Sequence, residues 1–193
     1  MARKTAIYSG SFNPLHIGHL AIIKYMIDEA GFDMVYLIVS PKNPLKDGIS
    51  SATGADRYKA AVEAVNRHFP ACSDTEAKVK GDDIERNMPD PHYTIRTLDA
   101  LKEREPDNAF TFVMGADNLA DIRRWRDYSR ILKEYGTAVY PRKGFDLDKI
   151  KQDLLNEDPA YKIQILNAEM VDLSSTEIRN AIASGHDISH LLM

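Results

Sequence analysis

Cysteine is nearly absent from this chain of 193 residues, which contains Cys72 alone. A single cysteine cannot form an intrachain disulfide, and such scarcity is typical of proteins from a reducing compartment. Long apolar runs are also missing: none can span a bilayer, and the opening stretch MARKTAIYSG lacks the apolar segment of a signal peptide. These absences predict a cytoplasmic protein that has no membrane partner.

A positive net charge is missing as well. Lys and Arg number 25 against 29 Asp and Glu, which gives a formal net charge of −4. Because non-specific binding to nucleic acid depends on a positive surface, we expect no nucleic-acid partner. An anionic ligand must then be held by a local site, since the protein as a whole does not attract it.

Short apolar runs alternate along the chain with stretches of helical spacing, which predicts an α/β fold. The apolar runs are uninterrupted, as is typical of parallel strands that are buried on both faces. We predict a single domain over residues 1–193, a Rossmann-like, doubly wound parallel sheet with a small helical extension at about 167–193. The predicted strands are 5–9, 34–40, 109–115, 137–141 and 162–166, with short strands at 76–79 and 83–85; the predicted helices are 18–30, 55–67, 94–105, one from the third long strand to about 134, 148–156 and 175–184.

Residues suited to ligand binding follow three of the predicted strands, after Ser9, Ser40 and Met114. In open parallel sheets, ligands bind in the crevice beyond the carboxyl ends of the strands. We therefore expect these three stretches to meet at one site.

The stretch GSFNPLHIGH places two histidines at the start of a predicted helix. His16 and His19 are three residues apart and share a helix face, and Gly10 is expected to permit a sharp turn before them. A helix N-terminus presents free N–H groups and the positive end of the helix dipole, which favour phosphate. Capping residues and zinc ligands are the alternatives, but no Cys, Asp or Glu in this stretch completes a metal set. We predict no metal site built from protein side chains.

Five stretches occur in an order that resembles a known family: GSFNPLHIGH, SPKNPLK, YTIRTL, GADNLADIRRW and LSSTEIR. The first resembles the (H/T)xGH signature of the nucleotidyltransferase superfamily. The whole set, from Ala6 to about Ile182, resembles the bacterial nicotinate-nucleotide adenylyltransferases. The resemblance implies adenylyl transfer from ATP to nicotinate mononucleotide in NAD biosynthesis, giving deamido-NAD and pyrophosphate. It also implies that Mg²⁺ arrives with ATP, and it leaves a homo-oligomer open.

The same resemblance implies roles for individual residues. The implied catalytic residues, which would bind or clamp phosphates, are His16, His19, Lys46 and Arg179. The implied ATP-binding residues are Ser9, Gly10, Ser11, Phe12, Gly18, Gly115, Asp117, Ser174, Ser175 and Thr176. The implied nicotinate-binding residues are Tyr93, Thr94 and Trp125.

Several of these residues also have an ordinary structural interpretation. Ser174 and Glu177 match a capping box, and Asp117 is a candidate helix N-cap. Tyr93 opens a predicted helix, and Trp125 lies on an amphipathic segment where a tryptophan usually packs into the core.

The SPKNPLK stretch departs from the usual family pattern. Leu45 stands where a histidine is often found, so the basic role falls to Lys46, with Lys42 as a second candidate. Ser9 and Asn13 replace the commoner glycine and aspartate of the first stretch.

Three alternative functions remain at this point. Nicotinamide-mononucleotide and pantetheine-phosphate adenylyltransferases have similar sequences, although the latter usually carry threonine where His16 stands. The third alternative is a non-catalytic nucleotide-binding module on the same fold, against which both histidines and Arg179 argue.

Overall fold

The computed structural model describes residues 2–41, 53–71, 77–168 and 175–193. Within these ranges, the centre of the fold is a six-stranded parallel sheet with strand order β3-β2-β1-β4-β5-β6. The strands are β1 (Arg3–Gly10), β2 (Met34–Val39), β3 (Val79–Asp82), β4 (Asn108–Gly115), β5 (Thr137–Tyr140) and β6 (Ile163–Ile165). The helices are α1 (Ile17–Asp28), α2 (Gly54–His68), α3 (Thr94–Arg104), α4 (Ala116–Ala120), α5 (Leu147–Glu157) and α6 (Ser175–Ala183).

Alternate residues of the central strands supply two hydrophobic cores, one on each face of the sheet. Tyr8 of β1 packs in the core that contains Met26 of α1 and Val65 of α2. Its neighbour Ile7 faces the other way, into the core that contains Leu98 of α3. Because successive side chains of a strand point to opposite faces, an unbroken apolar run serves both cores. The doubly wound arrangement predicted from the sequence is confirmed.

None of the described helices has the length and apolar character needed to cross a membrane.

The five long apolar runs and five of the predicted helices are confirmed, with ends that differ by no more than two residues. The single helix predicted after β4 is wrong. After α4 the chain forms a 3₁₀ turn at Ile122–Arg124, one α-helical turn at Tyr128–Arg130 and a π-helical segment at Ile131–Tyr135. The interruption lies where Trp125 is extended, with ψ 145°, and Asp127 is left-handed, with φ 50°.

The polar stretch before α3 was predicted less accurately. The predicted strand at 76–79 meets β3 only at Val79, and Glu76 lies outside the described residues. The strand predicted at 83–85 is wrong, since this segment belongs to the 3₁₀ helix Ile84–Asn87. The physical reason is a local hydrogen bond: the Asp82 carboxylate accepts the Ile84 N–H at 2.9 Å, which turns the chain out of β3.

The strand order reverses between β1 and β4, which are neighbours in the sheet although two strands, β2 and β3, and three helices, α1 to α3, separate them in the chain. Such a reversal opens a crevice at the carboxyl ends of the strands. The register pairs Gly10 with Val39 and Gly115 with Tyr140, so the four central strands end at the same edge. The stretches after Ser9 and Ser40 meet there, with their two hydroxyl oxygens 3.4 Å apart.

A buried arginine joins the loops that follow β1 and β2. Arg57 lies in the first turns of α2 and is only 7% exposed. Its Nη1 donates to the carbonyl oxygens of Ser11 at 2.6 Å and Ser40 at 2.8 Å, and its Nη2 donates to the carbonyl of Pro41 at 2.8 Å. A planar guanidinium can satisfy several carbonyls at once, which the single ammonium of lysine does less well. Arg57 therefore fixes the spacing of two loops at the edge of the crevice.

We expect Arg57→Met to lower the free energy of unfolding by about 2 kcal/mol, because three partly buried carbonyl groups lose their donor. Arg57→Lys should lose less, since an ammonium retains part of the hydrogen bonding. Urea unfolding followed by circular dichroism measures both. The matched control is Arg67→Met, at the exposed end of the same helix, which should stay within about 0.5 kcal/mol of the unsubstituted protein. Equal stability of Arg57→Met and Arg67→Met would show that the hydrogen bonds of Arg57 to the two loops do not stabilise the fold.

Candidate active site

Two histidines cap the amino-terminal end of α1. His16 is the N-cap residue and its Nδ1 accepts the N–H of Gly18 at 3.2 Å. His19 lies three residues further on, and its Nδ1 accepts the N–H of His16, also at 3.2 Å. A backbone N–H donates only, so each Nδ1 must be unprotonated. Each neutral ring therefore carries its proton on Nε2, where it can donate to a ligand.

The surroundings keep both imidazoles neutral. Burial first, and the positive charge of Arg142 second, lower the pKa of His16 to about 4. Burial also lowers the pKa of His19 to about 3, with His16 and Arg142 as the next causes. The two rings lie close, with centroids 3.7 Å apart. The capping and phosphate-binding interpretations are thus compatible, because capping uses Nδ1 and leaves Nε2–H for a phosphate oxygen.

The loop between β1 and α1 turns at a residue that the sequence did not indicate. The left-handed residue is Phe12, with φ 43°, and not Gly10. The Phe12 ring is buried at 5% exposure and packs edge-on against Tyr8 and His19, with centroids 5.4 and 5.2 Å away. A Cβ on Gly10 would lie 3.1 Å from this ring, so the glycine makes room for it. Phe12 can therefore offer only its backbone to a nucleotide, and the Gly18 N–H is already used by the cap.

The start of α6 packs against this same loop. Ser175 Oγ lies 3.4 Å from the carbonyl oxygen of Pro14. Arg179 donates from Nη1 to the carbonyl of Asn13 at 2.8 Å and from Nη2 to Thr176 Oγ1 at 2.9 Å. Three predicted phosphate-binding residues are thus brought beside the histidine loop, although they follow it by about 160 positions in the chain. The predicted residues Ser174, Lys46 and its alternative Lys42 lie outside the described residues.

The carboxyl ends of β4 and β5 contribute a second charged cluster. The prediction that Asp117 caps a helix is wrong, since Gly115 is the N-cap residue of α4. A Cβ on Gly115 would collide with the Asp117 carboxylate and lie 3.1 Å from the Tyr140 ring. The half-exposed Asp117 carboxylate lies 3.9 Å from the Nε of Arg142. Sequence reasoning missed Arg142, although it follows β5 at the same edge of the sheet.

One cavity of about 240 Å³ joins the end of β1 to the predicted nicotinate residues. Trp125 is half-buried and packs edge-on against Phe112, with centroids 5.8 Å apart. Tyr93 is 39% exposed, and its side chain makes no capping hydrogen bond at the start of α3. The cavity lining includes Ser9, Gly10, Ser11, Tyr93, Thr94 and Trp125, all of them predicted, together with Ser40, Glu85, His92, Asn118, Arg124 and Arg126.

We expect both histidines of the ligand-free protein to remain neutral Nε2–H tautomers down to about pH 5. Nitrogen-15 NMR of the imidazoles measures tautomer and charge directly. Because their folded-state pKa values lie below the ordinary 6.5, the unfolded state binds more protons between pH 6.5 and 4. The free energy of unfolding should therefore fall as the pH is lowered through that window. An imidazole at either position that titrates near pH 6.5 would contradict the assignment.

Comparison with known proteins identifies the class of protein that this fold and site define. Residues 7–181 match the cytidylyltransferase-like family model, and the chain belongs to that family. A probable nicotinate-nucleotide adenylyltransferase of Flavobacterium johnsoniae is 36% identical over 189 residues, covering 98% of this chain and 91% of the relative. Another, from Bacteroides fragilis, is 35% identical and covers 98% and 87%. Within the family, the chain groups with the nicotinate-nucleotide adenylyltransferases.

Solved structures show the same fold. The nicotinic acid mononucleotide adenylyltransferase of Plasmodium falciparum complexed with NaAD has a TM-score of 0.76 to this chain at 21% identity, covering 97% of this chain and 88% of that one. The complex of the Plasmodium protein with APC gives a TM-score of 0.73 at 20% identity. At such low identity these similarities establish the architecture.

Proposed function

We propose that this chain transfers the adenylyl group of ATP to nicotinate mononucleotide, with deamido-NAD and pyrophosphate as products. The observation that carries the proposal is a continuous cavity that runs from Ser9–Ser11, beside the histidine loop, to Trp125, Tyr93 and Thr94. A dinucleotide-forming enzyme needs this continuity, because the phosphate of one substrate must reach the α-phosphorus of the other.

The reaction needs alignment and charge stabilisation more than it needs acid–base chemistry. A 5′-phosphate oxygen of the acceptor forms a bond to the α-phosphorus of ATP, and the bond from that phosphorus to the bridging oxygen breaks. Pyrophosphate leaves with the electron pair. The acceptor phosphate is already a nucleophile, so no covalent enzyme intermediate is required, and positioning contributes most of the acceleration.

The histidines and arginines supply donors for the phosphates. His16 and His19 each carry a neutral Nε2–H at the start of α1, where the helix dipole also favours negative charge. Arg142 lies near enough to both imidazoles to lower their pKa values, so its positive charge would act on the same phosphates. Arg179 is held beside the loop by Asn13 and would clamp the outer phosphates. Lys46 is included in the proposal only because the sequence resembles the family in the SPKNPLK stretch.

The pyridine acid would lie at the other end of the cavity. Trp125 offers a ring for stacking, and α3 begins at Thr94, where the first N–H groups of a helix have no intrahelical partner. A carboxylate suits such donors, and Arg124 and Arg126 add positive charge to the cavity lining. A carboxamide would turn an NH₂ group toward donors and leave them unpaired, which disfavours the amide mononucleotide.

Mg²⁺ enters the proposal as a companion of ATP. Across the described residues, no three His, Cys, Asp or Glu side chains converge to hold a metal ion. Triphosphate oxygens and water are the ligands that this ion ordinarily retains in nucleotide sites, and there it would neutralise phosphate charge.

Pyrophosphate release with ATP and three separate acceptors tests the proposed function. We expect turnover with nicotinate mononucleotide, a kcat/KM lower by at least about ten-fold with nicotinamide mononucleotide, and none with 4′-phosphopantetheine. Equal kcat/KM values for the acid and the amide would contradict the assigned carboxylate site. The absence of pyrophosphate with every acceptor would instead support a non-catalytic nucleotide-binding protein.

The substitution His19→Asn distinguishes the capping role of His19 from its proposed role in binding phosphate. The side-chain oxygen of asparagine can occupy the place of Nδ1 and keep the cap, but asparagine has no group at the place of Nε2. We expect His19→Asn to lower kcat by about 100- to 1,000-fold, the scale for one lost preorganised donor, with little change in the urea midpoint. His19→Ala should lose activity and stability together, whereas His68→Asn, at the far end of α2, should change neither. Full turnover by His19→Asn would exclude the imidazole from catalysis.

A further inference from the structure

A buried carboxylate lines the cavity and has no role in the mechanism described above. Glu85 is 3% exposed and lies in the 3₁₀ helix that follows β3. No ion pair joins it to any cation within the described residues. Burying a carboxylate costs free energy unless it is well hydrogen-bonded, so its place in a cavity for anionic substrates calls for a physical reason.

Two hydroxyl groups hold Glu85 from opposite sides. Ser40 Oγ, just beyond β2, donates to its Oε2 at 2.6 Å. Thr97 Oγ1, on α3, donates to its Oε1 at 2.9 Å. A carboxylate accepts only, and each of its oxygens has room for a second donor. The group is thus fixed in orientation while it retains capacity to accept from a ligand.

Glu85 lies between the phosphate end and the pyridine end of the proposed acceptor site. Ser40 Oγ lies 3.4 Å from Ser9 Oγ, next to the phosphate loop. Thr97 lies one turn into α3 beyond Thr94, at the pyridine end. A mononucleotide that spans these ends must place its ribose between them.

The chemical groups of the acceptor also indicate that Glu85 contacts its ribose. The phosphate and the pyridine carboxylate are anionic acceptors, and Glu85 would repel both. The quaternary pyridinium nitrogen is cationic but carries no hydrogen, so the ribose hydroxyls are the hydrogen-bond donors that the bound acceptor offers. We propose that Glu85 accepts a hydrogen bond from a ribose hydroxyl of the acceptor mononucleotide and so selects ribonucleotide over deoxyribonucleotide acceptors. This inference rests on the proposed function of the same site.

The test combines Glu85→Gln with nicotinate mononucleotide and its 2′-deoxy and 3′-deoxy analogues, with kcat/KM measured by pyrophosphate release. In the unsubstituted protein, one deoxy analogue should be at least ten-fold poorer than the natural acceptor. Glu85→Gln should show a similar loss on the natural acceptor and almost no further loss on that analogue, because the same hydrogen bond cannot be removed twice. KM for ATP should change less than two-fold.

A purely structural role gives a different result. If Glu85 only holds Ser40 and Thr97 in place, the loss from Glu85→Gln and the loss from the missing hydroxyl will multiply, which overturns the proposal. The absence of any deoxy penalty in the unsubstituted protein also overturns it, and that measurement does not depend on any variant folding. Glu85→Asp, which keeps the charge but withdraws it by one methylene, should reduce the deoxy penalty as well.

The matched control is Glu105→Gln. Glu105 also accepts a hydroxyl hydrogen bond, from Tyr36 at 2.8 Å, but it follows α3 at the opposite end from the cavity. Its substitution should leave the deoxy penalty unchanged. If the unsubstituted protein does not turn over the natural acceptor at all, the proposed function fails and the Glu85 assignment fails with it. Turnover with multiplied losses overturns the Glu85 assignment alone.

Discussion

Parallel pairing of β1 with β2 on one side and β4 on the other determines where every element of the site can lie. Because the strands run in one direction, their carboxyl ends share an edge, and each connection must return across a face of the sheet. The reversal of strand order beside β1 leaves that edge open between two sets of helices. Loops that are distant in sequence therefore converge, and Arg57 holds two of them at a fixed spacing.

The acidic net charge of the chain makes this convergence necessary for binding anionic substrates. The protein as a whole repels phosphate, so positive potential must be concentrated where the substrate lies. In the proposed function, the start of α1, Arg142 and Arg179 would provide it from three separate elements. Neutral imidazoles add directed donors without adding further repulsion among the cations of a small site. The same arrangement explains why burial and neighbouring charge lower the histidine pKa values in the absence of ligand.

Prediction from sequence succeeded where a local pattern has a single physical meaning. Unbroken apolar runs predicted the long strands because both faces of a parallel sheet are buried. The break after α4 was missed because the extended Trp125 and left-handed Asp127 depend on how that segment packs around the cavity. Glu85 and Arg57 were missed because their partners lie on other elements, which no spacing within one helix indicates. The rule that ligands bind beyond the carboxyl ends of parallel strands identified the other three stretches. It could also have identified Arg142, which follows β5.

The capping box at the start of α1 restricts which side chains the first position of the (H/T)xGH signature can accept. In the proposed function, the residue at position 16 accepts a backbone N–H and also offers a hydrogen to the ligand. Histidine does so with its two ring nitrogens, and the threonine of related enzymes can do so with one hydroxyl oxygen, since that oxygen both accepts and donates. Lysine and arginine bind phosphate well but accept nothing, so they would leave the helix end uncapped. The restriction of the first signature position to histidine or threonine therefore reflects two needs. The backbone needs a hydrogen-bond acceptor there, and the phosphate needs a donor.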